Sequence, residues 1–190
     1  MNRLMVVAGL LIVSVASFAQ VAEMAVSGGV SLLKNNELVP GAELGDGWRF
    51  GFRVALNTYR FMGHEVGYAY NRTDLKITDV ETVEYGMAIH QGFYNFLLYA
   101  LPEGSPVRPF VTGGGHFSNY VPPGASAASG QGATKFGLNY GGGIKARMGS
   151  KFMVRVDVRQ YHTPKPDFFV QAPEGWLRQT EISAGFGVAF

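Results

Sequence analysis

His116 and Ser118 stand two residues apart in an extended stretch, His116-Phe117-Ser118-Asn119, so their side chains share one face. A histidine beside a serine is the minimum for an activated hydroxyl nucleophile. The competing reading is a polar pair at the loop-facing end of a strand. Arg155, Asp157 and Arg159 form a second constellation, a charged row on one face. Such a row either selects anions in a lumen or closes an internal ion-pair network. The remaining candidates are weaker. His90 lies mid-strand and reads as a packed polar residue, while His64 and His162 lie near strand ends with no matching ligand cluster. No metal site is expected, and no cofactor. Gly113-Gly114-Gly115 is not a phosphate loop, because no Lys-Ser/Thr and helix follow it. These glycines read as close packing inside a narrow barrel.

The elements that must position these residues are constrained by composition. The chain has 190 residues, 47% hydrophobic and 13% aromatic, which excludes a disordered chain. With no cysteine there is no disulfide scaffold and no thiolate metal site. A net charge of +2 is too small to argue for nucleic acid. The 26 glycines amount to about 14% of the chain, roughly twice average usage. The length suits one domain.

The first 19 residues read as a cleaved secretory signal peptide. Arg3 is followed by the apolar run Leu4–Val15, and Ser17 and Ala19 supply small residues ahead of a cleavage site before Gln20. The run is too short for a membrane-spanning helix, which needs about 20 residues. Residues 20–190 would then be one exported domain.

That domain alternates with a period of two. Phe152, Val154, Val156 and Val158 oppose Arg155, Asp157, Arg159 and Tyr161. Ile182, Ala184, Phe186, Val188 and Phe190 oppose Glu181, Ser183, Gly185 and Gly187. Trp48–Tyr59 and Lys135–Arg147 alternate in the same way, and weaker versions cover Glu23–Leu32, Glu65–Asn71, Tyr85–Leu101 and Arg108–Ser118. The alternation slips near His90–Gly92, where a bulge is expected. Eight strands result. Short connections at Arg60–Gly63, Pro102–Pro106 and Met148–Ser150 alternate with longer ones at Lys34–Gly47, Thr73–Thr82, Asn119–Thr134 and Thr163–Trp176. Pro122–Gly132 reads as a mobile loop. The expected architecture is an up-and-down meander with one short-looped and one long-looped end.

Alternation alone does not say which face meets water. A soluble barrel would put the apolar face inward; a membrane barrel turns it toward lipid. Here the polar face is largely Gly, Ala and Ser with charges of both signs, which suits the interior of a narrow eight-stranded barrel. Isolated charges there are costly, so pairing is expected among Glu23, Arg53, Glu65, Lys145, Arg147, Arg155, Asp157, Arg159 and Glu181. Trp48, Phe50, Tyr68, Tyr85, Phe136, Tyr140 and Phe190 suit interfacial girdles. The fold class is therefore all-β: an eight-stranded antiparallel up-and-down transmembrane β-barrel.

The segments Pro109–Gly115, Lys135–Gly143 and Arg155–Tyr161, with the closing strand Glu181–Phe190, resemble the bacterial outer-membrane protein beta-barrel domain family. The resemblance covers nearly all of residues 20–190. It implies a location in the outer membrane and contact with its lipid. It also implies that Phe186 and Phe190 present the assembly signal to the barrel-assembly machinery. The barrels of outer-membrane protein A belong to this group and carry a peptidoglycan-binding domain afterwards; with the sequence ending at Phe190, that tether is expected to be absent. The His-x-Ser-Asn string is similar to the signature of the outer-membrane lipid A deacylases, in which Ser118 would be the nucleophile and His116 its base. In that family the motif comes later in the chain and a Gly-x-Glu follows it, whereas Tyr120–Thr134 contains no carboxylate.

The leading expectation is a non-enzymatic barrel with a structural or surface-interaction role carried by long extracellular loops. Tyr161–Phe169, leaving the seventh strand, is one place for an outside ligand to be recognised. The alternatives are a lipid A deacylase using Ser118 and His116, and a narrow channel for small solutes.

Overall fold

A computed structural model describes residues 21–79, 81–125, 132–167 and 174–190. The signal-peptide reading of residues 1–19 lies outside them, as do residues 126–131 of the Pro/Gly/Ala/Ser-rich loop and residues 168–173 of the last long connection.

Among the described residues, ten strands form one sheet. Eight are long: β1 (Val21–Lys34), β4 (Gly47–Tyr59), β5 (Met62–Thr78), β6 (Thr82–Tyr99), β7 (Val107–Val121), β8 (Ala133–Met148), β9 (Phe152–Pro164) and β10 (Trp176–Ala189). Each pairs antiparallel with the next along the chain, and β1 pairs with β10 from Glu23↔Ala189 to Lys34↔Arg178. The barrel is therefore closed. Closure matters in lipid, because an open edge would leave backbone N–H and C=O groups unsatisfied.

The period of two sorts the side chains. On β9, Met153, Arg155, Asp157, Arg159, Tyr161 and Thr163 are buried inside, while Val154, Val156 and Val158 are exposed outside. On β4, Arg49, Arg53, Ala55 and Asn57 point in; Trp48, Phe50 and Phe52 point out and are each more than half exposed. An apolar outer face over a polar inner one suits a wall that meets lipid. Glycines on the inner face make room for the large side chains. A methyl group at Gly67 would run into the Phe93 ring at 2.4 Å, and one at Gly141 would strike the β9 backbone at Val158 O, 2.2 Å away, before meeting Arg159 Cγ at 3.0 Å.

Three sequence expectations are corrected. The strands run longer than the lipid-facing pattern. In particular, Thr73–Thr82 is not a long loop: β5 and β6 stay paired out to Thr78↔Thr82. The alternating residues there (Thr73, Leu75 and Ile77 against Lys76 and Glu84) form a two-stranded extension beyond the barrel wall. Second, β6 has no bulge at His90–Gly92; its register with β5 and β7 is unbroken there. The apparent slip has another cause. Ile89, Phe93 and Leu97 are apolar yet face inward with Gln91 and Asn95, so polarity fails to mark the inner face of this strand. Third, Tyr85 shares the inward parity of Met87 and Ile89 and lies on the extension, so it is not a girdle residue.

The first long connection also contains structure. β2 (Glu37–Val39) and β3 (Ala42–Leu44) form a small hairpin, and β3 pairs with the β5 extension from Ala42↔Ile77 to Leu44↔Leu75. Gly41 turns the hairpin with φ of +82°, a left-handed conformation that glycine adopts freely.

Candidate functional site: the filled lumen

The lumen is built in layers. At its centre, Arg155, Asp157 and Arg159 stand at i, i+2 and i+4 on β9, which puts them on one face 6–7 Å apart along the strand by ordinary strand geometry. Asp157 accepts from both neighbours, from Arg155 Nε at 2.9 Å and Arg159 Nε at 2.8 Å. Strand β5 lies diametrically opposite β9 in the strand order. Its Glu65 reaches across the barrel and accepts from Arg155 Nη1 and Arg159 Nη2, both at 2.5 Å. Arg53 on β4 joins Asp157 at 3.1 Å and Glu181 on β10 at 3.7 Å. Arg49, one turn of the pleat further along, pairs with Glu181 at 2.9 Å. The Tyr161 hydroxyl donates to Glu181 at 3.0 Å and accepts from Arg49. Four guanidinium groups thus meet three carboxylates, all buried. Removing one member of such a set leaves an uncompensated buried charge, which costs about 3–5 kcal/mol.

Toward the short-turn end, Lys145 bonds Glu23 and the Tyr99 hydroxyl, the latter at 2.7 Å. Asn57 links the same two groups: it donates to Glu23 at 2.9 Å and accepts from Tyr99 at 2.8 Å. Ala55, Leu97, Tyr99 and Phe110 pack around them. Toward the long-loop end the network becomes neutral. Gln91 accepts from Arg49 at 2.9 Å and donates to Gln179 Oε1 at 2.8 Å and Ser118 Oγ at 3.0 Å; Gln179 donates to Asn71 at 3.1 Å.

Above that layer the lumen closes on an apolar cluster of Leu33, Leu38, Leu44, Leu75, Met87, Ile89, Tyr120 and Leu177. Leu38 and Leu44 come from the β2–β3 hairpin, folded over the mouth. Three contacts tie it to the wall: Gly45 N to Asp74 O at 2.7 Å, Thr78 N to Gly41 O at 2.7 Å and Leu33 N to Asp46 Oδ1 at 2.7 Å; Asn36 Nδ2 to Leu44 O at 2.6 Å closes the base of the hairpin itself.

Of the nine residues expected to pair, eight lie buried in the lumen: Glu23, Arg53, Glu65, Lys145, Arg155, Asp157, Arg159 and Glu181. The ninth, Arg147, does not join them. Its side chain is 28% exposed at the short-turn end, where it pairs at 2.5 Å with Glu103 of the β6–β7 turn, which also binds Arg108. It is one residue short of β8's end, where the wall no longer encloses it. Sequence reasoning missed Arg49, Gln91, Tyr99, Tyr161 and Gln179 as network members. Arg49 shares the face of Arg53, so a strict two-residue count down β4 would have found it. The amides and tyrosines carry no such signal.

The structure does not bring His116 and Ser118 together as base and nucleophile. Both are buried. Ser118 is taken by Gln91, and His116 Nε2 lies 2.8 Å from Thr163 Oγ1 with its ring edge-on to Tyr161. His90 faces outward between Tyr68 and Tyr70, and His64 faces outward against Tyr94. Among the described residues no three His, Asp or Glu side chains converge on a metal-sized site.

Two exposed ion pairs sit beyond the wall. Lys76 pairs with Glu84 at 2.9 Å on the extension, and that hydrogen bond raises the lysine's pKa. Lys135 pairs with Asp167 at 3.0 Å at the rim, and its hydrogen bond lowers the aspartate's.

Comparison with solved structures places this geometry. The barrel is similar to the outer membrane protein OprG of Pseudomonas aeruginosa (TM-score 0.62, 11% identity, 90% of this chain and 95% of that one). It is similar to Neisserial surface protein A (0.61, 14%, 91% and 100%). It is also similar to the N-terminal barrel domain of Pseudomonas aeruginosa OprF (0.57, 12%, 90% and 97%). At these identities the likeness is one of fold. No curated protein sequence matches the chain. The model of the outer membrane protein beta-barrel domain matches residues 5–190. A closed eight-stranded barrel with a lipid-facing apolar wall, matched by that model over almost its whole length, belongs to the bacterial outer-membrane protein beta-barrel domain family.

Proposed function

We propose that the protein is a closed, non-enzymatic outer-membrane anchor, with a structural or surface-interaction role carried by the elements at its long-loop end. The observation that supports this is the filling of the lumen from end to end: Lys145 and Glu23 with Tyr99 below, the arginine–carboxylate network in the middle, the leucine cluster above. An eight-stranded interior is only just wide enough for side chains, and here large ones occupy it. Short turns face the periplasm in bacterial outer-membrane barrels and longer loops face outward. The β2–β3 hairpin and the β5–β6 extension then project from the cell as a small sheet for partners outside. Phe186, stacked on Phe152 at 5.5 Å, and Phe190 end the last strand on the lipid face, where the barrel-assembly machinery would read them.

Planar-bilayer recording tests this reading. The purified barrel is expected to give no current steps above the bare bilayer. Reproducible unitary conductance from the folded, heat-modifiable form would favour the narrow-channel reading instead.

A further inference from the structure

On the lipid-facing wall of β9, β10 and β1, the outward residues form cross-strand rows. One row is Val158, Ile182 and Val30, wholly apolar. The next toward the long-loop end is Gln160, Thr180 and Leu32, with the Tyr140 hydroxyl donating to Gln160 at 2.5 Å. The row after that is His162, Arg178 and Lys34. Depth and polarity therefore change together, from hydrocarbon to interface to charge, over two steps of the pleat. Below the charged row β1 offers Met24, Val26, Gly28, Val30 and Leu32 to lipid. That is nine residues of strand, the length that spans the hydrocarbon layer when tilted. Lys34 and Arg178 thus stand at headgroup height on the long-loop side.

Their pairing is unfavourable as it stands. Directly opposed like charges on neighbouring strands destabilise a sheet, and Lys34↔Arg178 are Cα partners. Both side chains are exposed, and among the described residues neither reaches a carboxylate within ion-pair distance. Asp46, on the neighbouring segment, spends Oδ1 on the Leu33 amide. On the β5–β6 extension, by contrast, the cross-strand partner of Lys76 is a carboxylate, Glu84, at 2.9 Å.

We propose that the Lys34–Arg178 row is a binding site for the phosphate of an anionic outer-leaflet lipid, with His162 extending the row onto β9. The chemistry is that of two cations, one a guanidinium fork, at the height where lipid phosphates lie. The bound anion supplies the countercharge that the fold omits. Trp176, the next outward residue on β10, is a natural reporter.

The test uses the whole barrel folded in neutral phosphocholine micelles, with Trp48→Phe leaving Trp176 as the single tryptophan. It is titrated with a bisphosphorylated, acylated glucosamine disaccharide, with an unphosphorylated glycolipid, and with inorganic phosphate. A saturable fluorescence response to the phosphorylated lipid is expected, weakened about thirtyfold in Lys34→Gln/Arg178→Gln. Lys34→Arg/Arg178→Lys retains it, and Lys76→Gln leaves it unchanged. Equal binding by the glutamine variant overturns the proposal. So does an equal response to the unphosphorylated lipid or to inorganic phosphate at the same concentration. Heat-modifiable mobility verifies each barrel. Should the glutamine variant fail to fold, salt decides on the wild-type protein: binding that weakens steeply with ionic strength supports the site, and salt-independent binding overturns it.

Discussion

The middle of the lumen and its long-loop mouth fill the same cylinder by opposite means. In the middle, Glu65 and Asp157 hold Arg53, Arg155 and Arg159 in links that cross the barrel from β5 and β4 to β9. At the mouth, Leu38 and Leu44 drop from a short hairpin onto Leu33, Leu75, Met87, Ile89 and Leu177. The ionic layer ties opposite walls together and has little value unless every member is present. The apolar layer has no all-or-none requirement of that kind, each buried leucine being worth about 1.5–3 kcal/mol. The difference teaches how the two cooperate. The leucine cap keeps bulk water from the charges beneath, and charge pairs gain strength as the surroundings become less polar. The network in turn holds the wall at the width over which the hairpin fits.

The largest expected effect breaks the middle. Glu65→Gln leaves Arg155 and Arg159 without their shared carboxylate and is expected to destabilise the barrel by about 3–5 kcal/mol. Urea unfolding in lipid vesicles, followed by the heat-modifiable band, measures it. A loss under about 1 kcal/mol, the range of exposed pairs, would mean that water reaches the network and that the two regions are not distinct.

A smaller and more local effect is expected at the mouth. Leu44→Ala removes a fully buried side chain, at a cost of about 2–5 kcal/mol. Because β2 and β3 hang from one side of the sheet, the loss falls on docking of the hairpin. Limited proteolysis should cut the 35–46 segment while the barrel band stays folded. Simultaneous loss of both would show the mouth and the middle to be one cooperative unit.

The smallest effect lies at the rim. Lys135 holds the Asp167 carboxylate below its ordinary value of 3.8. A group with a depressed folded-state pKa contributes stability above its unfolded value and loses it as pH falls through the folded one. The contact is therefore expected to persist through the ordinary aspartate range and to be released only at lower pH. Both partners are exposed, so the global unfolding midpoint should not register its loss. Carboxyl NMR of Asp167 in wild type and Lys135→Gln checks this: equal titration in the two would remove Lys135 as the cause.

How much of this was legible differs from strand to strand. On β9 and β10 polarity follows parity over Val154–Arg159 and Glu181–Gly187, so Arg155, Asp157, Arg159 and Glu181 could be assigned to one face from spacing alone. On β6 the inner face carries Ile89, Phe93 and Leu97, and the same rule misreads a regular strand as a bulged one. The rule rests on lipid outside and charge inside; it fails where the inside is itself apolar. The β5–β6 extension was hidden for a related reason. Beyond the membrane both faces meet water or loops, so no lipid-facing stripe marks the chain as strand.

The sequence by itself determined the class of the molecule: alternating residues, small polar inner faces and alternating loop lengths admit few architectures, and closure follows because a membrane tolerates no free edge. It also marked eight of the charges found inside, while missing Arg49 and counting Arg147 among them. Only the tertiary structure decided who pairs with whom. Glu65 meets Arg155 and Arg159 because β5 and β9 are opposite in an eight-stranded cylinder, a relation set by strand number and register rather than by any local spacing. The same holds for the hairpin over the mouth, for the partners that His116 and Ser118 take in place of each other, and for the meeting of Lys34 with Arg178, which are 144 residues apart in the chain and adjacent only because the last strand closes on the first.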